Sequence, residues 1–541
     1  MQTRKSITFL LMIVACAAIV LSAIPSRGDD PQPAPGRAMA EQAGIMAGDW
    51  TTADHSKMEA LRKPFESGRE ITEACLSCHS MADDQLMHTI HWSWQSPYED
   101  GDVGKAGYSI NTFCISSNRM NDTSCNKCHI GWEGKEDGIN CLKCHGQKEM
   151  DWQAQFKDLH FFEETGETEI VEEIQADIQK AVVQVGLPTR QNCGECHFNG
   201  GGGEGVKHGD LDASLINPKR QLDVHMGIDG KNFSCTRCHT TRDHQVSGRV
   251  YSTPAVAERK SLVENDLAPK ISCESCHTAT PHKEVKLNDH TDMVACQSCH
   301  IPAFARAHST QMSWDWSTAG KLKDGNPYQE KGEYDRPVYK SIKGNFTWQK
   351  DVVPEYFWYN GSIRAVTAKD VIDPSGTVAV SGPVGQRGDK ASRIYPFKVH
   401  HGRQPYDMIH SRFITPLLSE EVNGFWKTFN WDDASRRGME LMDLPYSGQI
   451  GFVDTTYVFP TTHMVAPKED ALSCNDCHRR DTGRMAALGG FYMPGRDRFP
   501  LLDFAAWGAA LAALAGISLH AFGRIVMNGR RNGRKKEKNN G

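Results

Sequence analysis

Residues 125–145 read CNKCHIGWEGKEDGINCLKCH. This stretch holds the pentapeptide C-x-x-C-H twice, as Cys125/Cys128/His129 and Cys141/Cys144/His145. The same pentapeptide recurs at Cys75/Cys78/His79, Cys193/Cys196/His197, Cys235/Cys238/His239, Cys273/Cys276/His277, Cys296/Cys299/His300 and Cys474/Cys477/His478. Eight motifs therefore absorb 16 of the 18 cysteines, where this composition gives about 0.03 by chance. C-x-x-C-H is the attachment signature of c-type haem: two thioethers hold the vinyl edges of one porphyrin, and the next side chain reaches the iron as an axial ligand. Zinc would need two such pairs per metal and no histidine after each. A disulfide framework belongs to much shorter secreted chains and ignores the histidines. The sequence thus predicts eight covalently bound haem c groups.

The two motifs of the opening stretch lie too close for separate domains. The prediction is a single haem-packed domain, mainly α with much irregular structure, in which porphyrins supply much of the core, plus a C-terminal transmembrane helix. The rest of the composition agrees. The 541 residues are 39% apolar with 48 glycines and a net charge of −6. This excludes general disorder, collagen and coiled-coil classes, and a basic nucleic-acid-binding surface.

The ends carry addresses. Residues 1–30 read as an export signal: Arg4 and Lys5 precede the apolar run Ile7–Ile24. Cleavage near Ala23–Ser26 is the first reading; lipidation at Cys16 or retention as an anchor are the alternatives. Residues 499–527 read as a transmembrane helix followed by a basic cytoplasmic tail, 528–541, which places the haem domain in the periplasm. His520 lies in that helix and is either an interfacial histidine or a ligand to a b-type haem shared with a partner.

Between the ends, 31–48 reads as a linker and 49–300 as a haem domain with seven motifs. Residues 301–473 form an aromatic-rich wrapping segment, and 474–498 hold the eighth motif and a second linker. Within 49–300, Glu163–Gly186 is the clearest helix, with Ile170, Ile174, Ile178 and Val182 in one stripe and Gly186 and Pro188 as the stop. The wrapping segment also offers a face for a homo-oligomer.

Motif histidines account for eight of the 23, leaving fifteen. Low-spin electron-transfer haems need a second strong ligand, so seven or eight distal histidines are expected. Those nearest the motifs are His91, His208, His225, His244, His282, His290, His400 and His463, with His55 and His401 in reserve.

Several segments carry a resemblance. They are Ala53–Lys57, Asn111–Cys114, Gly186–Arg190, Gly200–Asp212, Asp223–Met226, Ser313–Lys321 and Thr462–Pro467. On these the chain resembles the octahaem tetrathionate reductase family of c-type cytochromes, from about residue 52 to 480. The resemblance implies a lysine-ligated catalytic haem at the second motif, Cys125/Cys128, with Lys207 as the matching lysine, either replacing His129 or opposing it. A lysine binds iron only as the neutral amine, a form that burial beside a charged metal favours. The resemblance also implies that Asn111 and Cys114 belong to the pocket, with Asp243 and Lys283 or Lys286 as an acid and a second cation. A thiolate can attack a sulfur–sulfur bond, and cations would stabilise developing negative charge.

The C-terminal helix departs from the family's soluble members. It suggests coupling to a membrane quinol-oxidising or cytochrome b subunit. The expected activity is reduction of a small inorganic anion, tetrathionate first, with nitrite or hydroxylamine as alternatives. The rival readings are a non-catalytic electron conduit and a hydroxylamine-oxidising enzyme.

Overall fold

The computed structural model describes residues 34–45, 53–95, 102–120, 126–132, 138–248, 271–419 and 424–538. The export segment with Cys16, and Cys125, lie outside the described residues. The chain divides into two compact units, Met1–Ala471 and Leu472–Gly541.

In the first unit the motifs fold locally in one way. The amide of the motif histidine donates to the carbonyl of the first cysteine: His79 to Cys75 (2.9 Å), His145 to Cys141 (3.0 Å), His239 to Cys235 (2.9 Å). One α-turn puts residues i and i+4 on the same side, so the first thiol and the imidazole serve one porphyrin. Capping fixes where some of these turns start. Helix α1, Arg190–His197, opens with a reciprocal capping box between Thr189 and Asn192.

The helix expected over Glu163–Gly186 is two helices, α2 Trp152–Thr165 and α3 Thr168–Val183. Gly166 stands between them at φ 78° and ends α2: its amide reaches the Glu163 carbonyl (3.2 Å) and that of Glu167 reaches Phe162 (3.0 Å). This left-handed stop falls where a glycine tolerates it. Ile178 and Val182 of the predicted stripe are buried with Phe156, Leu159, Leu61, Phe65, Ile71 and Leu142. Each such side chain contributes roughly 1.5–3 kcal/mol of burial. The cluster ties the first motif to the third, because Ile71 precedes Cys75 and Leu142 follows Cys141.

Residues 310–460 are built differently. They form a nine-stranded sheet, whereas the sequence predicts mainly α. The strands are β1 Thr310–Asp315, β2 Gln329–Lys331, β3 Pro337–Lys340, β4 Gly344–Gln349, β5 Glu355–Tyr359, β6 Val378–Ala379, β7 Arg393–Asp407, β8 Arg412–Phe413 and β9 Ile450–Pro460. Their order is β2-β3-β4-β1-β7-β9-β6, with β5 and β8 also pairing with β7. The physical reason is composition: the tryptophans, tyrosines, phenylalanines and valines read as a wrapping segment are strand formers. Long β7 is buried along most of its length. It pairs antiparallel with β9, bringing Lys398 opposite Phe459 and His400 opposite Tyr457, and parallel with β1 at His401 and Ser313. Trp314 and Trp316 stack at 4.7 Å and are buried, so the Trp-x-Trp pair is packing.

The second unit holds the eighth motif, whose His478 amide donates to Cys474 (2.8 Å), and helix α4, Pro500–Lys538. Its span Pro500–Asn528, 29 residues, is long and apolar enough to cross a membrane. At 1.5 Å per residue it exceeds a hydrocarbon core of about 30 Å. Leu501, Phe504 and Trp507 are exposed along it.

Candidate haem sites and pocket

Two imidazoles on one iron, each bonded at about 2 Å, hold their ring centres about 6 Å apart. Five motif histidines face a second histidine at that separation. The pairs are His79 with His55 (6.4 Å), His197 with His91 (6.3 Å), His239 with His463 (6.3 Å), His277 with His225 (6.0 Å) and His300 with His282 (6.1 Å). Burial keeps several of these rings neutral and lone-pair-bearing, as a metal ligand must be. It pushes His197 down to about 3 and His300 to about 4, and lowers His91, His239 and His277. A cavity of about 3000 Å3 runs between these pairs, lined by motif thiols from Cys75 to Cys296. Facing imidazoles across a thiol-lined cavity fit haem.

Cys296 and His300 of the seventh motif line the cavity, but Cys299 between them is half-buried and lies off its lining. The short helix Cys296–His300 carries both thiols and the imidazole. Its fourth residue falls about 60° round from its first, and its fifth about 40° round on the other side. Ser298 Oγ donates to the Ile394 carbonyl (2.8 Å) and ties that helix to β7. Cys474 and Cys477 of the eighth motif belong to the second unit, the first exposed and the second half-buried.

Contacts between thiols order the sites, numbered here by motif. Cys75 of site 1 hydrogen-bonds Cys141 of site 3. Cys128 of site 2 bonds Cys196 of site 4, and Cys193 of site 4 bonds Cys235 of site 5. Cys238 and Cys276 bring site 5 to site 6, and Cys144 and Cys193 bring site 3 to site 4. The row therefore runs 1–3–4–5–6, with site 2 attached to site 4 out of sequence order. His300 of site 7 interacts with His277 of site 6.

Site 2 differs from the paired sites. His129 is buried between Trp92 (5.0 Å) and Trp94 (5.2 Å). Its Nε2 donates to the Trp92 carbonyl (3.0 Å), and its Nδ1 accepts from the Gly131 amide (3.2 Å). Both ring nitrogens thus have backbone partners. At two other motifs Nδ1 meets a backbone carbonyl: His145 that of Gly186 (2.9 Å) and His239 that of Ser247 (2.7 Å).

Helix α1 of site 4 runs directly into the glycine loop and Lys207. Gly201 lies at φ 83°, and a Cβ there would come within 2.7 Å of Phe113. The loop thus lies against the segment Asn111–Cys114. Asn111 Oδ1 accepts from the Phe113 amide (3.1 Å) and the Cys114 amide (2.6 Å), fixing the turn that carries the half-buried thiol. Cys114 packs on the cluster of Phe113, Val206 and Trp314. Lys207, Asn111 and Cys114 all line the cavity.

The loop is held from behind. Lys398 Nζ donates to the carbonyls of Val206 (3.0 Å) and Lys207 (3.1 Å) and to Thr310 Oγ1 (2.7 Å). Thr310 Oγ1 in turn meets the carbonyls of Gly205 (2.6 Å) and His208 (3.1 Å). Four successive carbonyls are thus anchored by two side chains. Burial pushes the Lys398 ammonium down to about 7. Glu204 anchors the loop's outer side through Arg336 (3.0 Å) and His308 (2.9 Å). Asp210 meets His463 from the same loop. Burial raises its carboxyl, but the His463 hydrogen bond and neighbouring positive charge outweigh this and hold it low.

Of the other predicted residues, His208, His244 and Asp243 also line the cavity, outside the five facing pairs. His208 lies edge-on to Phe459 (5.2 Å). His400 is buried, its Nδ1 paired with Thr112 Oγ1 (2.7 Å) and its Nε2 near Gln311 Nε2 (3.5 Å). His55, a reserve candidate, instead faces His79. His244 interacts with His145 and His79 and pairs with Gln85 Oε1 (2.9 Å). His290 Nδ1 meets the Lys286 carbonyl (2.6 Å). Asp243, beside His244, pairs with Arg242 (3.5 Å) in an exposed hairpin. Lys283 and Lys286 are exposed and lie off the cavity lining. The resemblance singles them out as matches for a second cation, and a match of residue type says nothing about the sheet. The cation that the fold does bring beside the glycine loop is Lys343. It lines the cavity, its Nζ 3.4 Å from the position of a Gly202 Cβ and over the rings of Trp314 (5.4 Å) and Trp426 (5.5 Å). Lys343 had no sequence signal. Lys398 had one: a lysine inside the apolar run Ile394–Val399, where a buried charge needs partners.

The family model for bacterial cytochrome c matches residues 311–481. No curated protein matches the chain. The octaheme cytochrome c from Shewanella oneidensis is similar over 81% of this chain and 97% of that one, at 37% identity and a TM-score of 0.67.

Proposed function

The chain belongs to the multihaem c-type cytochromes, and from that premise we propose that it is a membrane-anchored reductase with eight covalent haems and a lysine-ligated catalytic site at motif 2. Haem supplies one-electron redox chemistry at each site and relays electrons along the row. The observation that carries the reading is His129: both its nitrogens have backbone partners, and Cys128 of its motif touches Cys196 of helix α1, which runs on into the glycine loop and Lys207. Lys207 then replaces His129 as the protein ligand.

The other residues have distinct tasks. Asn111 fixes the Cys114 turn, Lys398 and Thr310 hold the Lys207 loop, and Lys343 attracts an anion and offsets its charge. Motif histidines and their partners hold the remaining irons. The substrate read from the tetrathionate reductase resemblance is tetrathionate. Two electrons cleave its central sulfur–sulfur bond and give two thiosulfates, with no proton consumed. The C-terminal helix anchors a periplasmic haem domain, its basic tail stays in the cytoplasm, and a quinol-oxidising membrane subunit supplies electrons.

The test is EPR of the oxidised full-length protein with and without Lys207→Ala. The reading expects the signal of one site to change while the paired sites keep theirs. An unchanged spectrum from eight low-spin bis-histidine haems would sink it and leave an electron conduit.

A further inference from the structure

Of the facing histidine pairs, the one at site 5 has a carboxylate behind it. Asp210 is 3% exposed. Its Oδ2 accepts from the amides of Thr462 (2.7 Å) and His463 (3.0 Å) and lies 3.2 Å from His463 Nδ1. The His463 ring faces His239 at 6.3 Å. At site 7 the same nitrogen of His282 meets a neutral amide oxygen, Asn288 Oδ1 (3.2 Å). On the other side of site 5, His239 meets the neutral Ser247 carbonyl (2.7 Å).

The difference has a definite sign. An imidazole N–H donating to a buried carboxylate gains imidazolate character and becomes a stronger electron donor, which favours the oxidised iron. A buried negative charge close to the iron acts in the same direction. Lys398, the nearby cation, spends its hydrogen bonds on the Val206 and Lys207 carbonyls and on Thr310.

We propose that Asp210 is a tuning residue that lowers the reduction potential of site 5, so that electrons pass downhill from site 5 to site 4 and its neighbour, site 2. One electron leaves site 5, which is oxidised, and site 4 is reduced; no bond or proton changes. The position of Asp210 suits this role. It stands three residues from Lys207 in the same loop, and site 5 touches site 4 through Cys235 and Cys193. The proposal rests on the haem reading above for its occupants.

The experiment is spectropotentiometric titration of the full-length holoprotein as wild type, Asp210→Asn and Asp210→Glu. Asparagine keeps an oxygen for the Thr462 and His463 amides but removes the charge. The expected result is an upward shift of one midpoint in Asp210→Asn and near wild-type values in Asp210→Glu, with a changed EPR signal for one low-spin site. Unchanged midpoints in Asp210→Asn at full haem content overturn the proposal. Should that variant fail to fold, near-infrared magnetic circular dichroism of the wild type decides. One histidine–imidazolate charge-transfer band supports the proposal, and neutral-imidazole bands alone refute it. The Lys207→Ala spectrum is independent of Asp210, so failure here is distinguishable from failure of the catalytic reading.

Discussion

Site 2 and the five paired sites carry the same pentapeptide and end in different surroundings. At the paired sites the motif turn aims its imidazole at a second imidazole about 6 Å away. At site 2 the same turn delivers His129 into a pocket of two tryptophans, where backbone groups take both its nitrogens. The motif therefore sets attachment, and what the rest of the fold brings to the opposite face sets use. A second histidine suits a relay; on the proposed reading, the lysine of the glycine loop makes site 2 the reactive one.

The comparison can be broken at its strongest point first. On the proposed reading Lys207→Ala removes a ligand at the reacting iron and should lower tetrathionate turnover by more than about 100-fold; steady-state kinetics at matched haem content checks this. Removing a partner at a paired site should matter less. His282→Ala is expected to convert one low-spin EPR species to high-spin and to slow turnover about tenfold; a larger loss than that of Lys207→Ala would reverse the assignment of relay and catalytic sites.

The loop behind Lys207 offers a smaller effect. Lys398→Met strands the carbonyls of Val206 and Lys207, at about 1–3 kcal/mol each, and thermal melting should show the loss. The folded lysine titrates near 7 because burial lowers it, while an unfolded lysine titrates at about 10.4. Between these values the unfolded chain binds more protons, so this group makes stability rise with pH across that window. The methionine variant should lose that slope. Least of all, Gly166→Ala should cost about 1 kcal/mol, since its left-handed backbone disfavours a side chain although the space is open. No spectral change should follow, because the α2–α3 break lies outside the pocket.

Much of the site is legible in the sequence because its chemistry is local. Cys75 to His79 needs only one helical turn to present a thiol and a ligand, and Asn111 to Cys114 only one side-chain-to-backbone turn. His91, His225, His282 and His463 stand out by their nearness to motifs, and the structure sets each across from a motif histidine. His208 and His400 stand out on the same ground and lie outside the five facing pairs: His208 lines the cavity edge-on to Phe459, and His400 is held by Thr112. Sequence distance does not encode which face of a turn or strand a side chain takes. The sheet escapes the sequence reading for a related reason. Its aromatic run suits strands as well as coverings, and the pairing of β7 with β1 joins residues some ninety positions apart.

The sequence by itself determined the attachment chemistry, because C-x-x-C-H is complete within one helical turn. It also determined an apolar terminal span, because length and hydropathy suffice for that. Only the tertiary structure decided which histidine faces which, that site 2 branches from site 4, that Lys343 and not Lys283 or Lys286 stands by the glycine loop, and that Lys398 and Asp210 bracket Lys207 from buried positions. These are contacts between segments far apart in the chain. They are fixed by how β7, β9 and the glycine loop pack, which no local pattern of residues specifies.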